Sequence, residues 1–200
     1  MGCEPKLLAG YVPIEEARTQ FESAWGVPLP THKGKNMMDM LDAAAKGQMK
    51  ALWAIGYDIL MTNPNSDETR NALKQFDLVI VQDLFLNATA REFANVFLPA
   101  ASSFEKDGTF MNGERRIQRV RGAAKPQGLA RSDWEIVCDV AKAMGHGKHF
   151  AYRSAEEIWN EVRALWPEGH GITYARLDRE GGLQWPCFEE NSPGTPILHV

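Results

Sequence analysis

The stretch Leu78-Val79-Ile80-Val81-Gln82-Asp83 decides the fold, and it continues to Arg121 as LVIVQDLFLNATAREFANVFLPAASSFEKDGTFMNGERRIQRVR. It begins with a dense run of β-branched and aliphatic residues. That run stops abruptly at two polar residues, Gln82 and Asp83. A short helical pattern follows over Ala88–Phe93, then a second apolar run from Phe93 to Leu98, a turn containing Gly108, and a segment rich in arginine. A buried strand whose last residues turn polar is the usual edge at which an α/β sheet holds a ligand. The carboxyl ends of parallel strands open a crevice there, and the loops that follow carry the contacts.

Working outward, Ala51-Leu52-Trp53-Ala54-Ile55 is a continuous apolar run ending at Gly56, the pattern of a strand buried on both faces. Residues 67–76 read as a helix with Leu73 and Phe76 inward and Ser66 as its N-cap. The order is strand 51–55, helix 67–76, strand 78–82, helix 88–94, strand 95–98. Strands alternating with helices predict parallel βαβ units with right-handed crossovers. The expected fold class is α/β: half of a doubly wound, mostly parallel, Rossmann-like sheet with flanking helices and irregular extensions at both ends.

The rest of the chain frames that domain. Residues 1–50 read as a connecting, partly helical segment. A helix is expected over Ile14–Trp25, and a second from an Asn36 cap through Met37, Met40, Leu41 and Ala44 to Gly47. Methionines at this spacing are read as core packing. Residues 51–166 form the Rossmann-like domain. Beyond Pro99 it holds a turn at Lys106-Asp107-Gly108, an extended segment Thr109–Val120, and two helices opened by capping boxes. The boxes are Ser132-Asp133-Trp134-Glu135 and Ser154-Ala155-Glu156-Glu157; the helices stop at Gly145 and Pro167. Residues 167–200 show no periodicity. The apolar end Ile197-Leu198-His199-Val200 reads as a chain about to enter a further domain.

Composition narrows the class. Hydrophobic residues make up 44% and charged residues 24%, which fits a globular chain and argues against disorder. A net charge of −4 gives no general case for nucleic acid, which selects a strongly basic surface. Cys3, Cys138 and Cys187 are far apart and lack the spacing of a zinc or iron–sulfur site. So sparse a count fits a reducing compartment, and the cytoplasm is expected. No apolar run approaches the ~18–20 residues of a membrane span. The N-terminus lacks the pattern of a secretory signal, and Pro5 counts against myristoylation at Gly2.

No catalytic frame of the GxSxG, HExxH or P-loop kind occurs. His146 and His149, flanked by glycines, read as loop histidines rather than metal ligands. Binding is better supported. Gly56 permits a tight turn after the first strand. Asp58 follows where a carboxylate accepts from a ribose hydroxyl or a guanine edge. Thr62, one turn on, offers a hydroxyl, and Gln82 and Asp83 hold the matching place after the second strand. Each of these alone is also an ordinary strand-end residue; two strands ending alike is what makes the group a candidate. GxGxxG is absent, which disfavours an ordinary NAD site. The run Arg115, Arg116, Arg119, Arg121 reads either as a solvated extended segment or as a contact to another domain or an anionic cofactor.

The central run, with Pro99, Glu105, Gly108, Thr109, Phe110, Asn112, Arg115, Arg116, Gln118, Arg119, Asp133 and Trp134 in place, closely resembles the molybdopterin oxidoreductase family. Within it, the resemblance is to the α, catalytic, subunits of formate dehydrogenases. Gly56-Tyr57-Asp58 and Gln184-Trp185-Pro186-Cys187 also look like this family. The resemblance implies a bis-molybdopterin guanine dinucleotide cofactor with Mo or W, and an iron–sulfur cluster outside this chain. It implies formate as substrate of the full-length enzyme, and other domains of the same subunit and electron-transfer subunits as partners; no nucleic acid is expected, on the charge balance above. It also implies that these 200 residues are a cofactor-binding part that is inactive alone. By position, Gly56, Asp58, Thr62, Gln82, Asp83, Ala100 and Asp133 match places that contact one guanine dinucleotide, Ala100 through its backbone only. No catalytic residue and no metal ligand is expected within the chain. Nitrate- or sulfoxide-type reductases of the same superfamily, or a non-catalytic interaction module, are the alternative readings.

Overall fold

A computed structural model describes residues 12–198. The stretch Met1-Gly2-Cys3 and the last two residues of the apolar end, His199 and Val200, lie outside that range. The chain separates into two compact units. Among the described residues, one comprises Gly34–Ser102 and Pro126–Val137; the other comprises the stretch up to Lys33, Ser103–Lys125 and the part from Cys138 on.

The first unit is built on three parallel strands in the order β1 (Ala51–Ile55), β2 (Leu78–Asp83), β3 (Val96–Pro99). The register pairs Ala51 with Leu78 and Val81 with Phe97. Stepping in one direction, the sheet is one wing of a doubly wound arrangement. Helices α2 (Met37–Ala45), α3 (Ile59–Thr62), α4 (Ser66–Leu73) and α5 (Ala88–Phe93) accompany it. Leu52, Ala54, Val79 and Val81 are buried in one cluster with Leu41, Ile59, Leu73, Phe76 and Ala90. The opposite faces of the strands are not equally covered: Ile55 is 47% exposed and Val96 41%. The expectation that the 51–55 strand is buried on both faces is therefore corrected. Alternate residues carry the burial, because buried residues of α2 to α5 join the cluster on the Leu52, Ala54, Val79 and Val81 face.

The caps explain where the helices start. Asn36 begins α2 by accepting from the Asp39 N–H at 2.9 Å. The helix expected to be capped by Ser66 is instead capped by Asn65, whose side chain accepts from Glu68 N–H at 3.2 Å. Ser66 becomes the first helical residue, and the helix ends at Leu73 rather than Phe76.

The second unit holds an antiparallel sheet in the order β4 (Gly108–Met111), β5 (Arg116–Val120), β6 (Leu183–Gln184). The segment expected to be continuously extended is thus a hairpin. Asn112 makes the turn: its side chain accepts from the N–H groups of Glu114 (3.0 Å) and Arg116 (3.1 Å). Arg115 sits at φ 63°, a left-handed conformation that polar local bonding stabilises. Helices α1 (Ile14–Trp25) and α7 (Ala155–Leu165) stand where the periodicity put them, and Ser154 caps α7 through Glu157 N–H. Within the extension expected to be irregular lie α8 (Tyr174–Glu180), capped by Thr173, and strand β6. Ile117, Trp166, Ile172, Tyr174, Leu177, Leu183 and Cys187 form the core. Among the described residues no helix is long and apolar enough to cross a membrane.

Candidate functional site

The site is assembled at the carboxyl edge of β1, β2 and β3. Gly56 continues the ladder one residue past β1: its N–H donates to Gln82 O at 2.8 Å. Its φ of +60° is what requires glycine, since a Cβ there would meet open space. Ala100 N–H donates to Asp83 O at 3.0 Å, which extends the pairing of β3 with β2 in the same way.

Residues 99–101 then pair in parallel with Arg131. Arg131 N–H donates to Pro99 O (3.2 Å), and Ala101 N–H to Arg131 O (2.7 Å). This short bridge sets the start of α6 (Asp133–Ala143) against the edge. The capping box contributes through Glu135, whose carboxylate accepts from Ser132 N–H at 3.0 Å. The result is that Asp133, 51 residues away in sequence, accepts from the Gln82 side-chain amide at 2.8 Å. Gln82 is wholly buried, and among the described residues its amide oxygen has no hydrogen-bond partner. The orientation is fixed by its neighbour, because the flipped amide would set oxygen against the Asp133 carboxylate. A buried, unpaired acceptor costs about 1–3 kcal/mol, and such atoms concentrate where something else supplies the donor.

Asp58 and Thr62 are held by the scaffold. The two carboxylate oxygens of Asp58 accept from the N–H groups of Ala88 (3.0 Å) and Thr89 (3.1 Å) and from the Thr89 hydroxyl (2.6 Å). Asn87 accepts from Ala90 N–H at 2.8 Å, so the first three free donors of α5 are all satisfied. Burial pushes the Asp58 carboxyl upward, but the hydrogen bonds from Thr89 and Ala88 outweigh it and hold the group below its ordinary range. Thr62 donates its hydroxyl to Asp58 O at 2.6 Å. Asp83 accepts from Leu84 N–H (2.6 Å) and from the Asn87 amide (2.8 Å). These bonds clamp the ends of an apolar tip, Leu84-Phe85-Leu86, in which Phe85 is 76% exposed.

The fold thus brings Gly56, Gln82, Asp83, Ala100 and Asp133 to one edge, with Asp58 and Thr62 shaping the loop beside it. Sequence reasoning missed Thr89, fully buried, which also accepts from Leu60 N–H at 3.0 Å, and Asn87. Asn87 followed by a helical pattern is a recognisable cap; nothing in the sequence marks Thr89. His146 and His149 lie exposed at the turn after α6.

Residues 14–143, which include every residue of this edge, match the molybdopterin oxidoreductase family model. The chain belongs to the molybdopterin oxidoreductase family. It is 41% identical over 199 residues to the F420-dependent formate dehydrogenase subunit alpha of Methanocaldococcus jannaschii, covering 100% of this chain and 29% of that protein. It is 39% identical over 201 residues to the assimilatory nitrate reductase catalytic subunit of Bacillus subtilis, covering 96% of this chain and 28% of that protein. The acetylene hydratase structure from Pelobacter acetylenicus aligns with a TM-score of 0.60 at 20% identity, over 86% of this chain and 24% of that one, and is similar in fold. This family member therefore spans less than a third of the length of the curated relatives it matches. Membership implies a molybdopterin cofactor.

Proposed function

We propose that the carboxyl edge of β1–β3 binds the guanine dinucleotide end of a molybdopterin cofactor, in a longer protein that oxidises formate to CO2 as a formate dehydrogenase catalytic subunit. The observation that carries the reading is Gln82: wholly buried, its amide donating to Asp133 and its oxygen without a partner among the described residues. A guanine edge or a ribose hydroxyl supplies the missing donor, and the Ala100 and Asp83 backbone bonds hold the neighbouring loop ends in place. Gly56 gives close backbone approach. Asp58 and Thr62 act in this site by fixing the 56–62 loop against α5. Asp83 and Asp133 present carboxylates to donor groups of the nucleotide.

When bound, the cofactor supplies the two-electron redox centre, with Mo or W as its metal. The residues of this chain bind and orient its nucleotide end and take no part in the transfer. An iron–sulfur cluster and electron-transfer subunits belong to parts of the protein outside this chain, and the compartment is the cytoplasm. The formate assignment rests on the methanogen relative, identical at 41% of positions across this chain. A nitrate reductase is the second reading, favoured by the Bacillus relative at 39%.

The full-length protein carrying this chain tests both. Purified with its cofactor, it is expected to reduce a viologen dye with formate and not to oxidise reduced viologen with nitrate; the reverse pattern would select the second reading. Gln82→Met and Asp83→Ala are expected to lower the GMP released on acid hydrolysis, per polypeptide, to half or less, with far-UV circular dichroism unchanged. Full GMP content in both variants would rule out this edge as the nucleotide site.

A further inference from the structure

The second unit contains a charged group that its own fold does not explain. Arg119 lies on β5 with its side chain only 13% exposed. Its guanidinium stacks on the Tyr174 ring, 3.7 Å from the centroid. Among the described residues it donates no hydrogen bond, and its Nε is buried without a partner. Its ion pair is with Asp178 at 3.4 Å, and Asp178 is engaged more closely by Arg121 at 2.5 Å. A guanidinium carries a rigid fork of N–H donors suited to two oxygens at once, and burying it without acceptors is costly. Arg176, in the same unit, is buried to a similar degree and uses its donors fully. The contrast marks Arg119 as a group whose acceptor comes from elsewhere.

Arg119 lines a cavity of about 570 Å³, within the range of small-molecule sites. Lys106, Arg119 and Arg121 bring positive charge to its wall; Asp107 is the acidic group in the wall, and its carboxylate already accepts from Gly122 N–H at 3.1 Å. Phe104 and Phe110 add apolar surface and are 74% and 48% exposed. Aromatic faces beside a half-satisfied arginine fit a ligand with a flat apolar body and an oxyanion at one end.

We propose that this cavity is a binding site for an organic anion, with a carboxylate or phosphate on the Arg119 guanidinium and a planar body against Phe104 and Phe110. It shares no residue with the nucleotide edge and does not depend on it. The shared chemistry is the pair of acceptor oxygens; the two sources, carboxylic acids and phosphate esters, are told apart by the probes used.

Calorimetric titration of the full-length protein with benzoate, AMP and inorganic phosphate tests the site. Saturable binding of benzoate or AMP is expected, with inorganic phosphate weaker because it lacks the apolar body. Arg119→Met is expected to weaken that binding about tenfold or more, the loss of a charge-assisted pair. Phe104→Ala, a substitution at an exposed position that leaves folding intact, is expected to weaken the organic probes by about threefold and leave inorganic phosphate unchanged. Binding that survives both substitutions lies elsewhere in the protein and overturns the proposal. So does the absence of binding by all three probes together with a lower thermal midpoint for Arg119→Met, because a carboxylate of the protein itself would then fill the site.

Discussion

The parallel unit buries Gln82 and the antiparallel unit buries Arg176, and the two polar side chains are treated in opposite ways. Arg176 is 4% exposed. Its Nε and Nη2 donate to the two carboxylate oxygens of Glu180 at 3.0 Å, and further bonds reach the carbonyls of Gly171 (3.0 Å), Glu189 (3.2 Å) and Ser192 (2.8 Å) and the Cys187 thiol (3.3 Å). The bond network raises the Arg176 pKa still further, chiefly through Glu180. Among the described residues the Gln82 side chain makes one bond and leaves its oxygen unpaired. A buried polar group with every valence used is a structural tie. One with a valence left open, at the end of a parallel strand, points to a ligand. The difference separates what holds the fold from what the fold presents.

The sharpest way to break that comparison is Arg176→Met. It removes the ties that order residues 187–192, takes the Arg176 donor from the Gly171 carbonyl and leaves Glu180 to Arg179 alone. A loss of about 2–3 kcal/mol is expected, from the lost charge-assisted hydrogen bonds, read by urea denaturation followed through tryptophan fluorescence. Hydrogen exchange should rise at 187–192 and stay unchanged across β1 and β2. A loss below about 1 kcal/mol would mean that the apolar core alone orders this segment.

This contrast also explains what was legible in the sequence. The parallel unit is made of local signals: apolar runs, caps and glycine stops, each read within a few residues. Its strands and the edge they share followed from that. The link between Gln82 and Asp133 did not, because it depends on the bridge between Ala100 and Arg131, which no local pattern encodes. In the antiparallel unit, α8 and β6 were hidden. The helix is short, and its buried face includes a charged residue, Arg176, so the apolar periodicity fails. The aromatic contact of Trp166 with Trp185, at 5.5 Å, joins segments that share no sequence pattern.

Asp58 gives the next largest test, because it turns a residue expected to face a ligand into one that starts a helix. Asp58→Asn is expected to cost about 1–2 kcal/mol, the loss of a charged acceptor at the α5 N-terminus. The folded carboxyl titrates below its ordinary value of 3.8, so its contribution is fully present above that value and is lost as pH falls through the lower, folded one. The gap between wild type and Asp58→Asn in urea midpoint should therefore be wide at pH 6 and shrink steadily as the pH is taken below 3.8. An equal gap at both would assign the effect to packing rather than charge. Asp58→Asn should also lower GMP content less than Gln82→Met does, since the Asp58 oxygens are spent on Ala88 and Thr89.

The smallest effect separates two neighbours on one helix. Asn65 and Ser66 are both good capping residues by type, and the sequence favours Ser66 only if the helix begins at Asp67. The backbone decides otherwise: Asn65 is extended, at φ −110° and ψ 94°, and its side chain accepts from Glu68 N–H, three residues on. Its carbonyl also takes the Thr69 N–H at 3.0 Å and the Thr69 hydroxyl at 2.7 Å. Asn65→Ala should thus cost about 1 kcal/mol, whereas Ser66→Ala, now inside the first turn, should change stability by no more than about 0.5 kcal/mol in either direction. Both are read as shifts in denaturation midpoint. If Ser66→Ala proves the costlier change, α4 begins one residue later, at Asp67.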